Sequence, residues 1–291
     1  MHETDLDFDQ RLFRSLRARG LIVSAPVPLQ GGRSNRVWRA GDRVLKLYQP
    51  RGGNPLFAND PHRENAALLA LAGTGMVPQL LASGRFEGRA WLIYGHITGA
   101  PWRQDSGHVA QLLGRLHDQP GFEDLPEGMN GSAALEWQGK AILDQLSTAS
   151  EPVAQIRGLR PIGQVPPLSQ LSLIHGDPVP GNLVAHDGTL TLIDWQCPQL
   201  GDPSEDLALF LSPAMQVLYR GEVLSTGEEE AFLAAYPDPG VVGRYLSLKP
   251  WYHWRMAAYC LWRSQAGAAQ DRRALELELQ ALKRSISPKK A

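Results

Sequence analysis

His175-Gly176-Asp177-Pro178-Val179-Pro180-Gly181-Asn182, followed by Ile193-Asp194-Trp195 and then by Gly201-Asp202-Pro203-Ser204-Glu205-Asp206, is the stretch on which the reading of this 291-residue chain turns. Its polar residues interrupt short β-like runs at 171–174, 183–185 and 189–193, the last two joined by the turn pair Asp187-Gly188. Phosphoryl transfer asks little covalent chemistry of a protein. It needs a carboxylate beside the attacking hydroxyl, oxygen ligands for magnesium, and cations that hold the phosphates in line. Asp177, directly after a strand, is placed to accept a hydroxyl proton. Asn182 in the same loop and Asp194 after the hairpin are hard oxygen ligands. Asp202 and Asp206 are also acidic, but Asp202 precedes Pro203 at an expected helix start. Helix capping and positioning of the loop is therefore the better reading for them than metal ligation.

Upstream, residues 6–19 carry Leu6, Leu12, Phe13 and Leu16 among four arginines, an amphipathic helix closed by Gly20. Short strands are expected at 21–27, 36–40, 44–48, 79–83 and 89–94, with Gly84 and Gly88 separating the last two, and a helix at 61–72. The first two runs are joined through Gln30-Gly31-Gly32-Arg33-Ser34-Asn35. The glycines let backbone N–H groups approach phosphate oxygens, with Ser34 and Asn35 either binding phosphate or making a turn. Lys46, between apolar neighbours, must face solvent or pair, and Glu64 on the next helix is a partner that would aim its ammonium at phosphate. Tyr94 and His96 end a strand where backbone groups can face an adenine edge.

After Ile97 helical patterns dominate, at 109–116, 133–146, 204–210, 228–235, 251–265 and 272–284, with 158–167 as a connecting loop. The boundary falls near 94–99, which gives domains of 1–97 and 98–291: a small antiparallel-sheet region and a larger, mainly helical one, an α+β chain. Apolar residues at 43% and charged residues at 20% exclude global disorder. The net charge is -1, although residues 1–97 alone carry +5. No nucleic-acid or membrane partner is implied, and protein partners are left unassigned. Two cysteines make no disulfide framework, and neither a signal-peptide pattern nor an 18-residue apolar run occurs, so a cytoplasmic location is expected. His117 at a helix end reads as a cation favoured by the helix dipole.

The set Lys46, Glu64, His175-Gly176-Asp177 with Asn182, Ile193-Asp194-Trp195, and Gly201-Asp202-Pro203 with Asp206 resembles the aminoglycoside phosphotransferase and choline kinase superfamily over nearly the whole chain. The resemblance implies a two-lobed protein-kinase-like fold with ATP between the lobes. It implies Asp177 as catalytic base, Asn182 and Asp194 as magnesium ligands, Lys46 on the α/β-phosphates, and His175 as an orienting residue. Pro178-Val179 departs from the Leu-His pair that many members carry after the Asp.

The acceptor is sought in residues 207–270, which carry five acids and five bases and form no trap for a polycation. Trp251, Trp254 and Trp262 share a helical face that is either a buried stripe or a set of ring faces for a single cation. A choline-like or other small alcohol is expected over an aminoglycoside. A non-catalytic nucleotide-binding scaffold is the alternative from another class.

Overall fold

The computed structural model describes residues 3–29, 34–49, 53–147, 150–265 and 269–287. The chain forms two compact units, one of Met1–Asn54, Ala58–Ala100 and Val184–Cys197, the other of Pro55–Phe57, Pro101–Leu183 and Pro198–Ala291.

The first unit opens with α1 (Glu3–Ala18). Gly20, at φ 68°, reverses the chain after it: its N–H donates to Arg17 O and that of Leu21 to Leu16 O, both at 2.9 Å, so two of the helix's last carbonyls are satisfied. The expected strand at 21–27 shrinks to β1 (Val27–Pro28). β2 (Arg36–Ala40), β3 (Arg43–Leu47), α2 (Pro61–Ala70), β4 (Leu80–Phe86) and β5 (Arg89–Gly95) follow. The five strands form an antiparallel sheet in the order β1-β2-β3-β5-β4. Strand alternation sends Trp38, Ala40, Leu45, Leu47, Trp91 and Ile93 into one cluster with Phe8, Leu12 and Leu16 of α1. Burying such a side chain contributes about 1.5–3 kcal/mol each, which is what holds α1 on the sheet. β4 continues through Gly84, read above as a break. A Cβ at Gly84 would lie 2.7 Å from Trp91 Cζ2, so this glycine makes room for the indole rather than ending the strand. α2 starts at Pro61 with Asp60 as cap, its carboxylate accepting from His62 N at 2.8 Å and Arg63 N at 3.3 Å.

In chain order β6 (Ala100–Pro101), α3 (Ser106–His117), α4 (Ser132–Leu143), α5 (Glu151–Gly158) and β7 (Ser172–Ile174) come next. A 3-10 turn (Pro180–Asn182), β8 (Leu183–His186), β9 (Thr189–Leu192) and β10 (Gln199–Gly201) precede α6 (Ser204–Leu211), α7 (Pro213–Tyr219), α8 (Thr226–Ala235), α9 (Pro239–Ser264) and α10 (Ala269–Ile286). Val184–Cys197 belongs to the first unit, tied there by Leu192 N donating to Met76 O at 2.9 Å and Cys197 Sγ to Ala58 O at 3.2 Å.

The second unit is helical around α9, which packs against α4, α5, α6 and α10. α9 is longer than the expected 251–265 because it runs through Pro250. Proline removes one N–H bond, to the carbonyl four residues back. That residue is Leu246, which is exposed, so water can serve its carbonyl. Glu136 on α4 takes Arg160 in a two-pronged ion pair (2.8 and 2.7 Å) and Lys140 at 2.5 Å. Arg160, and secondarily Lys140, hold the Glu136 carboxyl at about 2. A carboxyl depressed on folding adds stability above its ordinary value near 4.5 and loses it as pH falls towards 2. Glu136→Gln is therefore expected to flatten the fall in thermal midpoint over that acid window while leaving the pH dependence above 5 unchanged. Parallel acid melts of parent and variant check this.

Candidate active site

On the sheet face opposite α1, β3 presents Val44, Lys46 and, just beyond its end, Tyr48. Lys46 is 2% exposed, and an ammonium so buried is costly unless it is paired. Its Nζ donates to Glu64 Oε2 at 2.5 Å and to Asp194 Oδ1, while the Tyr48 hydroxyl donates to the same Glu64 oxygen. Burial alone would lower the Lys46 pKa; the carboxylates of Asp194 and Glu64 outweigh it and raise the value, so Lys46 stays a cation. Burial pushes the Glu64 carboxyl up against the pull of Lys46. The Tyr48 hydroxyl is raised by burial and then by Glu64, which keeps it a donor. Asp194 follows β9 in the left-handed region, at φ 65°, a conformation that costs a residue with a Cβ about 1–2 kcal/mol. Its contact with Lys46 uses Oδ1; Oδ2 has no hydrogen bond among the described residues, and the side chain is 32% exposed.

One amide braces this cluster. Asn35 Nδ2 donates to Asn59 Oδ1 at 2.7 Å and Gln196 Oε1 at 3.0 Å, and Asn35 Oδ1 accepts from Gln49 N at 3.2 Å and Asn59 Nδ2 at 3.1 Å. The segments it joins lead into β2, out of β3, into α2 and out of the Asp194 turn.

In the second unit β7 ends at Ile174, and the chain turns at Gly176, φ 76°, to present Asp177. Asn182 Nδ2 donates to Asp177 O at 2.8 Å and Asp177 Oδ2 at 3.2 Å. A carbonyl and a carboxylate can only accept, so the amide nitrogen must face them and Asn182 Oδ1 is turned away, with no hydrogen bond among the described residues. Asp206, at the start of α6, is fully buried. Its carboxylate accepts from His175 N at 2.8 Å and Gly176 N at 2.9 Å, and lies 3.1 Å from His117 Nε2. Asp202 accepts from Ser204 N at 3.1 Å and Ser204 Oγ at 2.6 Å, and from Arg244 Nε at 2.6 Å. Asp206→Ala strands two buried N–H groups, each worth about 1–3 kcal/mol, so destabilisation on the order of 2–5 kcal/mol is expected. Faster amide exchange at His175 and Gly176 is the local sign of it. A denaturation series with hydrogen-exchange readout decides the matter.

These groups fit magnesium and phosphates by the chemistry of their donors: the uncommitted Asn182 Oδ1 and Asp194 Oδ2 are hard oxygens, and Lys46 is a fixed cation. Of the residues expected to meet nucleotide, Gly31 and Gly32 lie outside the described residues. Ser34 is half-buried at a bend, and the amide of Asn35 is committed to the brace just described. Tyr94 is buried within β5, opposite Val44 of β3, and burial raises its hydroxyl pKa. The His96 N–H donates to Asp42 O at 2.7 Å because the end of β5 meets the β2–β3 turn, so only the His96 carbonyl is left for an adenine edge.

The aromatic stripe is a correction. Trp251 and Trp254 are 3% and 1% exposed. Trp254 Nε1 donates to Ile156 O at 2.7 Å, and its ring fills the space where a Cβ on Gly139 would stand, 2.3 Å from Cζ3. One Trp251 contact is with Arg160, whose guanidinium lies 5.3 Å from the ring centre. Trp262 is half-buried and stacks on Tyr259 at 5.9 Å. Trp251 and Trp254 are core, where α4 and α5 pack on α9, and Trp262 lies at its edge. His117, in the last turn of α3, is buried, bonded at 2.7 Å to the Tyr236 hydroxyl on one side and 3.1 Å from Asp206 on the other. Tyr48 was legible, being two residues from Lys46 on the same strand face. Asn59, Gln196 and Arg244 carry no such local signal.

Sheet unit, helical unit and site residues together define a kinase-like phosphotransferase. The chain belongs to the phosphotransferase enzyme family, whose model matches residues 25–245. No curated protein matches its sequence. Among solved structures it is similar to a choline/ethanolamine kinase family protein from Mesorhizobium loti (TM-score 0.68, 17% identity, 97% of this chain and 95% of that one covered). It is also similar to choline kinase LicA from Streptococcus pneumoniae (0.67, 14%, 94% and 99%). A third is macrolide 2′-phosphotransferase MphH from Brachybacterium faecium (0.56, 19%, 98% and 99%). At these identities the likeness is one of fold. Among the described residues no helix is long and apolar enough to cross a membrane.

Proposed function

We propose that the protein transfers the γ-phosphate of ATP to a hydroxyl of a small molecule. The observation that carries this reading is the bond from Asn182 Nδ2 to Asp177. It joins, in one short loop, a carboxylate suited to take a hydroxyl proton and an amide oxygen suited to a hard cation. Asp177 accepts the proton of the attacking hydroxyl. Lys46, kept charged by Asp194 and Glu64, holds phosphate oxygens. Asn182 and Asp194 would hold magnesium, whose charge would offset that of the phosphates. The segment of Gly31, Gly32 and Ser34 and the end of β5 at Tyr94 and His96 take the nucleotide.

For the acceptor we favour a choline-like or other small alcohol. Residues 207–270 balance five acids with five bases, and an aminoglycoside polycation finds no excess of carboxylates there. The preference rests on that charge balance, since Trp251 and Trp254 are core. We place the reaction in the cytoplasm, with the small acceptor as partner and without nucleic acid or membrane. An ATP-consumption screen with magnesium over choline, ethanolamine, thiamine-like alcohols, sugars and kanamycin-type compounds tests the reading. ADP release with a small alcohol is the expected result. Phosphorylation of kanamycin-type compounds alone overturns the acceptor preference. Nucleotide binding without ADP release from any mixture favours the scaffold.

A further inference from the structure

We propose that Tyr219 is a positioning residue for the loop carrying Asp177 and Asn182, a proposal that rests on the kinase reading above. Gly181 sits in the 3-10 turn between those two residues and does not adopt a positive φ, so its backbone conformation does not demand glycine. Space does. A Cβ at Gly181 would lie 2.5 Å from Tyr219 Cδ1 and 3.3 Å from both Cγ and Cε1. The atoms approached include the root of the ring, which moves only if the end of α7 moves with it.

α7 is held at both ends. The Ser212 hydroxyl caps α7 through Met215 N at 3.2 Å, and Glu278 Oε1 accepts from Ala214 N at 3.2 Å. Just past Tyr219, Arg220 N donates to Gln216 O at 2.7 Å. The Arg220 guanidinium pairs with Glu228 at 2.8 Å and lies 5.4 Å from the centre of the Trp102 ring, and its carbonyl accepts from Arg103. The loop has as little slack. Asn182 N donates to Val179 O at 2.8 Å, Pro180 fixes its own φ, and the Asn182 side chain is bonded to Asp177. A displacement at Gly181 is therefore passed to the base and to the amide oxygen beside it, and misplacement of reacting groups by about 1 Å can cost about 10²-fold in rate.

The test is a suppressor cycle read as kcat and KM for ATP, with magnesium and the best acceptor from the screen, alongside thermal midpoints. Gly181→Ala is expected to lower kcat about 10- to 100-fold with KM for ATP within a few-fold. Adding Tyr219→Ala is expected to restore most of the loss. A parent-like kcat for folded Gly181→Ala overturns the proposal, as does a loss that Tyr219→Ala fails to relieve. Should Gly181→Ala not fold, Tyr219→Ala alone decides: a lowered kcat at unchanged KM for ATP supports the positioning role and a parent-like kcat overturns it. Asp177→Asn run in parallel separates the two levels. Parent-like turnover in that variant rejects Asp177 as the base, absence of acceptor-dependent ADP formation by the parent rejects the kinase reading, and failure of the suppressor cycle with an active parent and an inactive Asp177→Asn rejects only the role of Tyr219.

Discussion

Asp177→Asn is expected to bind ATP within a few-fold of the parent and to turn over about 10² times more slowly or worse. The substitution keeps the volume and the backbone carbonyl that accepts from Asn182 Nδ2 at 2.8 Å, so the loop has reason to keep its shape. It removes the one feature a neutral amide cannot supply, an oxygen able to take a proton from the attacking hydroxyl. Because Asp177 acts on the acceptor rather than on the nucleotide, its loss should fall on kcat and leave ATP affinity nearly intact. A variant with most of its turnover left would remove Asp177 from the role of base.

The second large effect is expected at Lys46. Lys46→Met keeps an unbranched chain but leaves Glu64, 1% exposed, without the cation that compensates its burial. Breaking a buried pair from one side costs about 3–5 kcal/mol, because the remaining charge stays in the interior. Burial already pushes the Glu64 carboxyl up, and the loss of Lys46 removes the pull that opposes it. The double variant Lys46→Met/Glu64→Gln is therefore expected to regain much of the lost stability while nucleotide binding and turnover stay low together, since a cation on phosphate acts in both ground and transition states. Denaturant midpoints for stability and calorimetric titration with ATP separate the two quantities. Single and double variants that bind ATP like the parent would return Lys46 to a purely structural role.

What the sequence made legible is what repeats or what chemistry requires. The short apolar runs of β3 and β5 bounded by turn residues and the polar run from His175 to Asp206 are such features, and the sheet, the helical remainder and the family follow from them. Other features depend on contacts distant in the chain. α7 is a seven-residue helix, too short for a periodic repeat to declare it, yet it supplies Tyr219. Gly84 looked like a break because glycine weakens strands, whereas the indole of Trp91 on the neighbouring strand is the reason for it. The helix expected at 251–265 begins at Pro239, and the packing that carries α9 through Pro250 lies on four other helices. The Trp251 and Trp254 spacing correctly placed both on one helix, but spacing does not tell what covers a face, and here α4, α5 and Arg160 do. Asp206 holds the amides of His175 and Gly176, and these lie some thirty positions back in the chain, where no local pattern announces them.

Incubation with γ-labelled ATP, magnesium and the acceptor panel follows the phosphoryl group from ATP to a small hydroxyl compound. Label on a small alcohol, in step with ADP formed and lost in Asp177→Asn, is the predicted result. Label that stays on ATP, or that appears only as free phosphate with every acceptor while the protein still binds nucleotide, would contradict it.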